Sequence, residues 1–232
     1  MSGEKMKLYW FSGSTPCWRV LIVLEEKGFH DNTELKHIDL FKQEHKSAEV
    51  IKLNPRGQVP TFVDKDININ ESHAICDYLE TCYGDCGKKL IPSEKRAMSR
   101  VLQRMHEAHN NFQNAIIENI IYYCMLTEKE KWDHDLLERK YVIARNELQR
   151  WEDYLKKVHE EGGIYIVGDD FTMADIYLYP HVAFCVRFGL DISTYPELEK
   201  YYNTLAQRPS INKTWPPTWR STNDEYRYLT KL

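Results

Sequence analysis

The chain has 232 residues, with 31 Lys and Arg against 35 Asp and Glu, for a formal net charge of −4. At 42% hydrophobic and 12% aromatic content it can bury a sizeable core, so disorder is not expected, and the length fits one large domain or two small ones. The balanced charge argues against a nucleic-acid surface, which carries a basic surplus on one face. No apolar run approaches the ~20 residues that span a bilayer, and the first eight residues interleave Lys and Glu without an apolar signal segment. A soluble, cytoplasmic protein is the expectation.

The six cysteines, Cys17, Cys76, Cys82, Cys86, Cys124 and Cys185, form no C-x-x-C pair. Reduced thiols are expected rather than a disulfide framework or a zinc site. The sequons at Asn70 and Asn212 carry no weight in a chain outside the secretory path. The terminal Thr-Lys-Leu falls one residue short of a peroxisomal Ser-Lys-Leu.

In chain order, Lys7 to Phe11 reads as a strand, broken by Ser12-Gly13-Ser14-Thr15-Pro16. Cys17, Val20, Leu21 and Leu24 then recur at helical spacing up to Gly28. Leu35 to Leu40 and Pro60 to Val63 read as strands. Ile67 and Ile69 alternate in a fourth, and a second helix covers about Ser72 to Tyr83. The order is β-α-β, a gap, then β-β-α, a small mixed sheet with helices on its faces. Beyond the polar connector near Asp85 to Lys89 the period is helical, with long segments at 94–126 and 133–160 and a further helix after Gly162-Gly163. The expected division is an α/β domain over 1–86, a linker over 87–93 and an all-helical domain over 94–232. Thr172 and Asp175 fit a capping box, with Phe171 and Ile176 placed for a hydrophobic staple.

Three strand-to-helix or turn segments can carry chemistry. At Ser14-Thr15-Pro16-Cys17 the N–H groups and dipole of a helix start favour a negative charge. Thiol-disulfide enzymes place C-x-x-C at such a junction. Here Ser14 holds the first position; its hydroxyl can cap the helix or donate to a thiolate belonging to another molecule. In Asn54-Pro55-Arg56-Gly57-Gln58-Val59-Pro60-Thr61, a cis Pro60 would leave the N–H and C=O of Val59 free to pair with an extended peptide. Glu71-Ser72-His73 opens a helix and can meet an ammonium and a carboxylate, or simply cap. His45-Lys46 adds a basic pair. His106-Glu107-Ala108-His109 lacks the H-E-x-x-H spacing of zinc hydrolases, and no metal is expected.

These landmarks, Ser14-Thr-Pro-Cys-Trp-Arg19, His45-Lys46-Ser47, Asn54 through Pro60, Glu71-Ser72-x-Ala74-Ile75 and Phe171 through Asp175, together resemble a cytosolic glutathione transferase of the serine type. The resemblance spans Lys7 to Trp219 and is most like the rho class of fish and molluscs. It implies a thioredoxin-like N-terminal domain that binds glutathione as cosubstrate, with no cofactor, followed by a helical domain. It implies that Ser14 activates the glutathione sulfur and that Val59 pairs with the cysteinyl backbone. Glu71 and Ser72 would hold the γ-glutamyl group, and His45, Lys46 and Gln58 the glycyl carboxylate. Pro60, Arg19, Thr172 and Asp175 are implied as structural support. His73 stands where some insect relatives have an arginine, and Gly57 where several classes have a basic side chain.

An electrophile pocket is expected between the domains, with candidate walls Trp10, Phe11, Ser12, Met105, His109, Phe112 and Trp219. The resemblance also implies a homodimer and detoxifying conjugation of small hydrophobic electrophiles, with no nucleic-acid or membrane partner. A thiol transferase using Cys17, as in omega-like members, and a non-catalytic binding module are the alternative readings.

Overall fold

The computed structural model describes residues 5–220 and 226–232. Its first part holds four strands, β1 Lys7–Trp10, β2 Glu34–His37, β3 Thr61–Asp64 and β4 Ile67–Asn70, in the spatial order β2-β1-β3-β4. β2 runs parallel to β1, with Trp10 opposite His37. β3 is antiparallel to both neighbours, with Thr61 opposite Tyr9 on one side and Asn70 on the other. The helices are α1 Thr15–Glu26, α2 Ala48–Leu53 and α3 Ser72–Cys82.

Period-two alternation puts Leu8 and Tyr9 on opposite faces of the sheet. Leu8 lies opposite Phe62, and the Phe62 ring meets Tyr78 of α3. α1 packs beside α3, and its Val20, Ile22, Val23 and Leu24 are fully buried. On the other face Tyr9, Ile38 and Val50 of α2 form a second cluster with Leu40, Leu53, Val59 and Val63. The mixed sheet expected from the sequence is therefore present. The gap left between the second and third strands holds α2, whose six residues include one buried side chain, too few to show a helical period.

The second part is helical. α4 Lys95–Glu107 continues as a π-helical stretch, Ala108–Tyr122, and ends in α5 Tyr123–Leu126. In the wide turns side chains pair five residues apart, Gln113 with Glu118 and Asn114 with Asn119. α6 is His134–Glu160, α7 Met173–Arg187, α8 Pro196–Ala206 and α9 Pro209–Thr214. α7 is buried on every side from Met173 to Cys185, the mark of a central helix. Its start is held by Asp175, fully buried, whose Oδ2 accepts from Thr172 N (2.8 Å) and Thr172 Oγ1 (3.1 Å). Asp175 Oδ1 accepts from Ile166 N (3.0 Å) and the Tyr201 hydroxyl (3.2 Å). Burial raises the Asp175 carboxyl to about 6, and these four donors oppose the rise.

The chain separates into two compact units. One comprises the residues through Lys89 together with 209–220; the other comprises 90–208 and 226–232. The helical domain expected over 94–232 thus loses its C-terminal segment to the α/β unit, because residues 209–220 pack along α1. Residues 90–93, expected in the linker, belong to the helical unit, where Leu90 O accepts from Met173 N.

Candidate functional site

The strand register decides where the candidate residues meet. The end of β1, the start of β3 and the end of β4 lie side by side, and the end of β2 flanks β1. The segments that follow or precede those ends are Ser12–Ser14, Gln58–Pro60, Glu71–Ser72 and the loop carrying His45 and Lys46. One end of one sheet therefore collects Ser14, His45, Lys46, Gln58, Val59, Glu71 and Ser72.

Ser14 is the N-cap of α1, with its Oγ accepting from Cys17 N at 3.4 Å, a long capping contact. As acceptor to the helix, the oxygen keeps its hydrogen for another partner; within the turn the neighbouring sulfur is that of Cys17, which its own burial keeps as a neutral thiol. The two readings left open for this serine are compatible. Neither α1 nor α3 has an acidic residue in its first turn, so the positive ends of both dipoles remain available to an anion. Cys17 lies beside the same turn but is fully buried: burial raises its thiol to about 11, and the Ser14 side chain and the Phe11 backbone oppose the rise.

The Asn54–Thr61 turn is held from inside. Asn54, buried, donates from Nδ2 to Gln58 O (2.9 Å) and Thr61 Oγ1 (3.2 Å), and its Oδ1 accepts from Arg56 N (3.1 Å). The Val59–Pro60 bond is cis. Among the described residues no group pairs with the backbone N–H or C=O of Val59. Lys46 Nζ donates to Arg56 O (3.1 Å) and Gly57 O (3.0 Å), fastening the basic pair to this turn. Gly57 has φ +56, and a Cβ there would meet Ile51 Cδ1 at 2.7 Å and His45 O at 3.0 Å. The packing explains why no side chain stands at this position.

At the third segment Glu71 is exposed with φ +69, and Ser72 begins α3. Arg19, buried on α1, donates from Nη1 to Ser72 Oγ at 2.7 Å and lies 2.8 Å from His73 Nε2. A guanidinium has no acceptor, so His73 accepts through Nε2. Ser72 in turn keeps its hydroxyl hydrogen for a ligand. Three further polar atoms at this sheet end, Trp10 Nε1, His45 Nδ1 and Asn70 Oδ1, are buried with no partner among the described residues, and each keeps capacity for one.

The candidate walls divide between the units. Trp10 and Phe11 pack their rings against His37 (centroids 5.4 and 5.6 Å). Ser12 is buried beside Thr218, with Oγ to Oγ1 at 2.9 Å. In the helical unit Phe112 is fully buried between Trp151 and His181. It and Met105, also buried, are core residues of that unit. His109 hydrogen-bonds Gln113 at 3.0 Å. Glu25, His30 and Asp31 place potential metal-ligand atoms within 4.8 Å of one another, but the Lys213 ammonium lies among them, 2.9 Å from Glu25 and 2.8 Å from Asp31. Sequence reading missed Asn54 as the organiser of its turn and Thr218 as the partner of Ser12. The first was signalled by its place opening the Asn-Pro-Arg-Gly turn; the second had no local signal.

Residues 13–82 match the family model for the glutathione S-transferase N-terminal domain, and residues 116–214 that for the C-terminal domain. The chain is 43% identical to glutathione S-transferase A of the plaice Pleuronectes platessa, over 93% of both chains. This chain belongs to the glutathione S-transferase family. The transferase is also 35% identical to glutathione S-transferase 1 of Dianthus caryophyllus, over 84% of this chain and 85% of that protein. Among solved structures, a glutathione S-transferase of the Antarctic clam Laternula elliptica superposes with a TM-score of 0.88 at 43% identity, covering 99% of this chain and all of that one. The resemblance to fish and mollusc transferases is thereby supported at the level of whole chains. No helix of the described residues is long and apolar enough to cross a membrane.

Proposed function

We propose that this transferase activates the sulfur of glutathione through the Ser14 hydroxyl and conjugates it to small hydrophobic electrophiles. The observation that carries this reading is the position of Ser14: N-cap of α1, at the sheet end shared with Val59 and Ser72. In the proposed arrangement the cysteinyl backbone of glutathione pairs with the N–H and C=O of Val59, as an added strand pairs with a sheet edge. The γ-glutamyl carboxylate takes the Ser72 hydroxyl and the first amides of α3, with Glu71 facing the ammonium. His45, Lys46 and Gln58 meet the glycyl carboxylate.

An unperturbed thiol of pKa ~8.5 is only about 3% ionised at pH 7. A serine hydrogen bond and a helix dipole both favour the thiolate. Lowering the pKa by about two units makes the thiolate the major form, while its intrinsic nucleophilicity falls somewhat. The thiol proton passes to solvent, the thiolate forms a C–S bond to the electrophile, and a leaving group departs with its electron pair. Holding the two reactants together supplies the remaining acceleration.

Cys17 is disfavoured as an attacking thiol by its burial and raised pKa. A homodimer and a cytoplasmic location remain part of the proposal, and sedimentation tests the first. Ser14→Ala is expected to lower kcat for an activated aryl halide about tenfold to a hundredfold, with glutathione affinity changing less than about threefold. Unchanged kcat would remove Ser14 from this role.

A further inference from the structure

Residues 209–220 lie along α1 from one end to the other. At its C-terminal end Ser210 Oγ donates to Glu26, and Lys213 bridges Glu25 and Asp31. Midway, Trp18 Nε1 donates to Thr214 Oγ1 at 3.0 Å, and the Trp18 ring meets Trp215 and Trp219 edge-on at 5.1 and 5.5 Å. At the N-terminal end Thr218 Oγ1 and Ser12 Oγ share a hydrogen bond of 2.9 Å, and Thr218 N approaches the same oxygen at 3.4 Å. The Trp219 indole lies against the backbone of Gly13, where a Cβ would meet Nε1 at 2.8 Å.

Gly13 immediately precedes Ser14, and its φ of +88 makes it the pivot of the turn. The turn's own restraints are weak: Ser14 N reaches Phe11 O at 3.3 Å, and Ser12 N reaches His37 Nε2 at 3.5 Å. The tie to Thr218, at 2.9 Å, is shorter than both. Since a hydrogen bond weakens steeply with angle, a small rotation about Gly13 would turn the Ser14 hydroxyl off the glutathione sulfur.

We propose that Thr218 and Trp219 are positioning residues for Ser14: the Thr218–Ser12 hydrogen bond and the indole on Gly13 hold the turn in the geometry that stabilises the thiolate. This rests on the assignment of Ser14 as the sulfur's partner. It gives Ser12 and Trp219 a task in sulfur activation, in place of the electrophile-wall role expected from sequence.

The test follows the ultraviolet absorption of the thiolate of glutathione bound to the full-length protein across pH, in the wild type and in Thr218→Val, Thr218→Ser, Ser12→Ala, the Thr218→Val/Ser12→Ala double variant, Trp219→Phe and Ser14→Ala. Thr218→Val keeps shape and loses the hydroxyl. It and Ser12→Ala are each expected to cut the bound thiolate fraction at neutral pH about threefold to fivefold. They should lower kcat in proportion, with KM for glutathione within about twofold, as for one lost hydrogen bond. The double variant should be no worse than the more affected single, Thr218→Ser should restore wild-type behaviour, and Trp219→Phe should shift the thiolate in the same direction. A role in folding alone would lower the melting temperature and leave the thiolate fraction of the folded protein unchanged, which overturns the proposal. Independent, additive losses overturn it too. If Ser14→Ala lowers the thiolate fraction and Thr218→Val does not, the positioning role alone fails; if Ser14→Ala leaves it unchanged, the assignment of Ser14 fails and the positioning role with it.

Discussion

Arg19 Nη1 donates to Ser72 Oγ at 2.7 Å, joining the inner face of α1 to the first residue of α3. Both residues are buried. The helix whose N-cap is Ser14 is thus tied by a charged hydrogen bond to the residue proposed to hold the γ-glutamyl carboxylate. In the proposed arrangement, sulfur activation and glutamyl binding share this one connection.

Replacing Arg19 with Lys should therefore weaken glutathione binding more than it lowers kcat. Both contacts leave one nitrogen, Nη1, whose two N–H groups the planar guanidinium holds in fixed directions; a lysine ammonium on its flexible stem has no such fixed aim. A charge-assisted bond of this kind is worth about 1.5–3 kcal/mol, so a loss of affinity of roughly tenfold or more is expected by calorimetric titration with glutathione. An affinity equal to wild type would show that Ser72 needs no support from α1.

Cys17→Ala should leave conjugation within about twofold of wild type, since the thiol is fully buried and held protonated up to about 11. The deletion of one small buried group should cost about 1 kcal/mol of stability, read by denaturant unfolding. Loss of conjugation in a folded Cys17→Ala protein would revive the reading in which that cysteine attacks.

Gly57→Ala places a Cβ at φ +56 against Ile51 Cδ1 and His45 O. The left-handed backbone alone costs a non-glycine residue about 1–2 kcal/mol. The turn that carries Val59 should shift to relieve the contact. Melting temperature should fall and KM for glutathione rise, and an unchanged KM would separate this turn from glutathione binding.

Asp175 sets a pH dependence of stability. Its folded pKa, about 6, stands above the ordinary value of about 3.9. The group's contribution is fully present below about pH 4 and is lost as pH rises through about 6, because ionisation then opposes burial. Asp175→Asn should remove this part of the slope in denaturant unfolding between those values. Asp175→Ala, which strands four buried donors, should cost about 3 kcal/mol or more.

The strands and α1 were legible because Leu8, Phe62 and the Val20–Leu24 face repeat at strand and helix periods. The individual site residues were legible as motifs, each open to a plain capping reading. What joins them is register: Thr61 opposite both Tyr9 and Asn70 is a non-local pairing that no window of sequence displays. The Arg19–Ser72 bond crosses 53 positions and the Ser12–Thr218 bond 206. The docking of residues 209–220 on α1 depends on Trp18 meeting Trp215 and Trp219 edge to edge, a contact that no local period displays. Phe112 and Met105 looked like pocket walls because a buried core stripe and a ligand-facing stripe have the same spacing.

The ionisation of glutathione, proposed to bind beside Ser14, is the central quantity. A pH titration of the bound thiol by its ultraviolet thiolate absorption, comparing wild type with Ser14→Ala at saturating glutathione, measures it directly. The expected wild-type midpoint lies well below the free-thiol value of about 8.5, and the Ser14→Ala midpoint shifts back toward it. Coincident titrations of the two proteins would contradict the role proposed for Ser14.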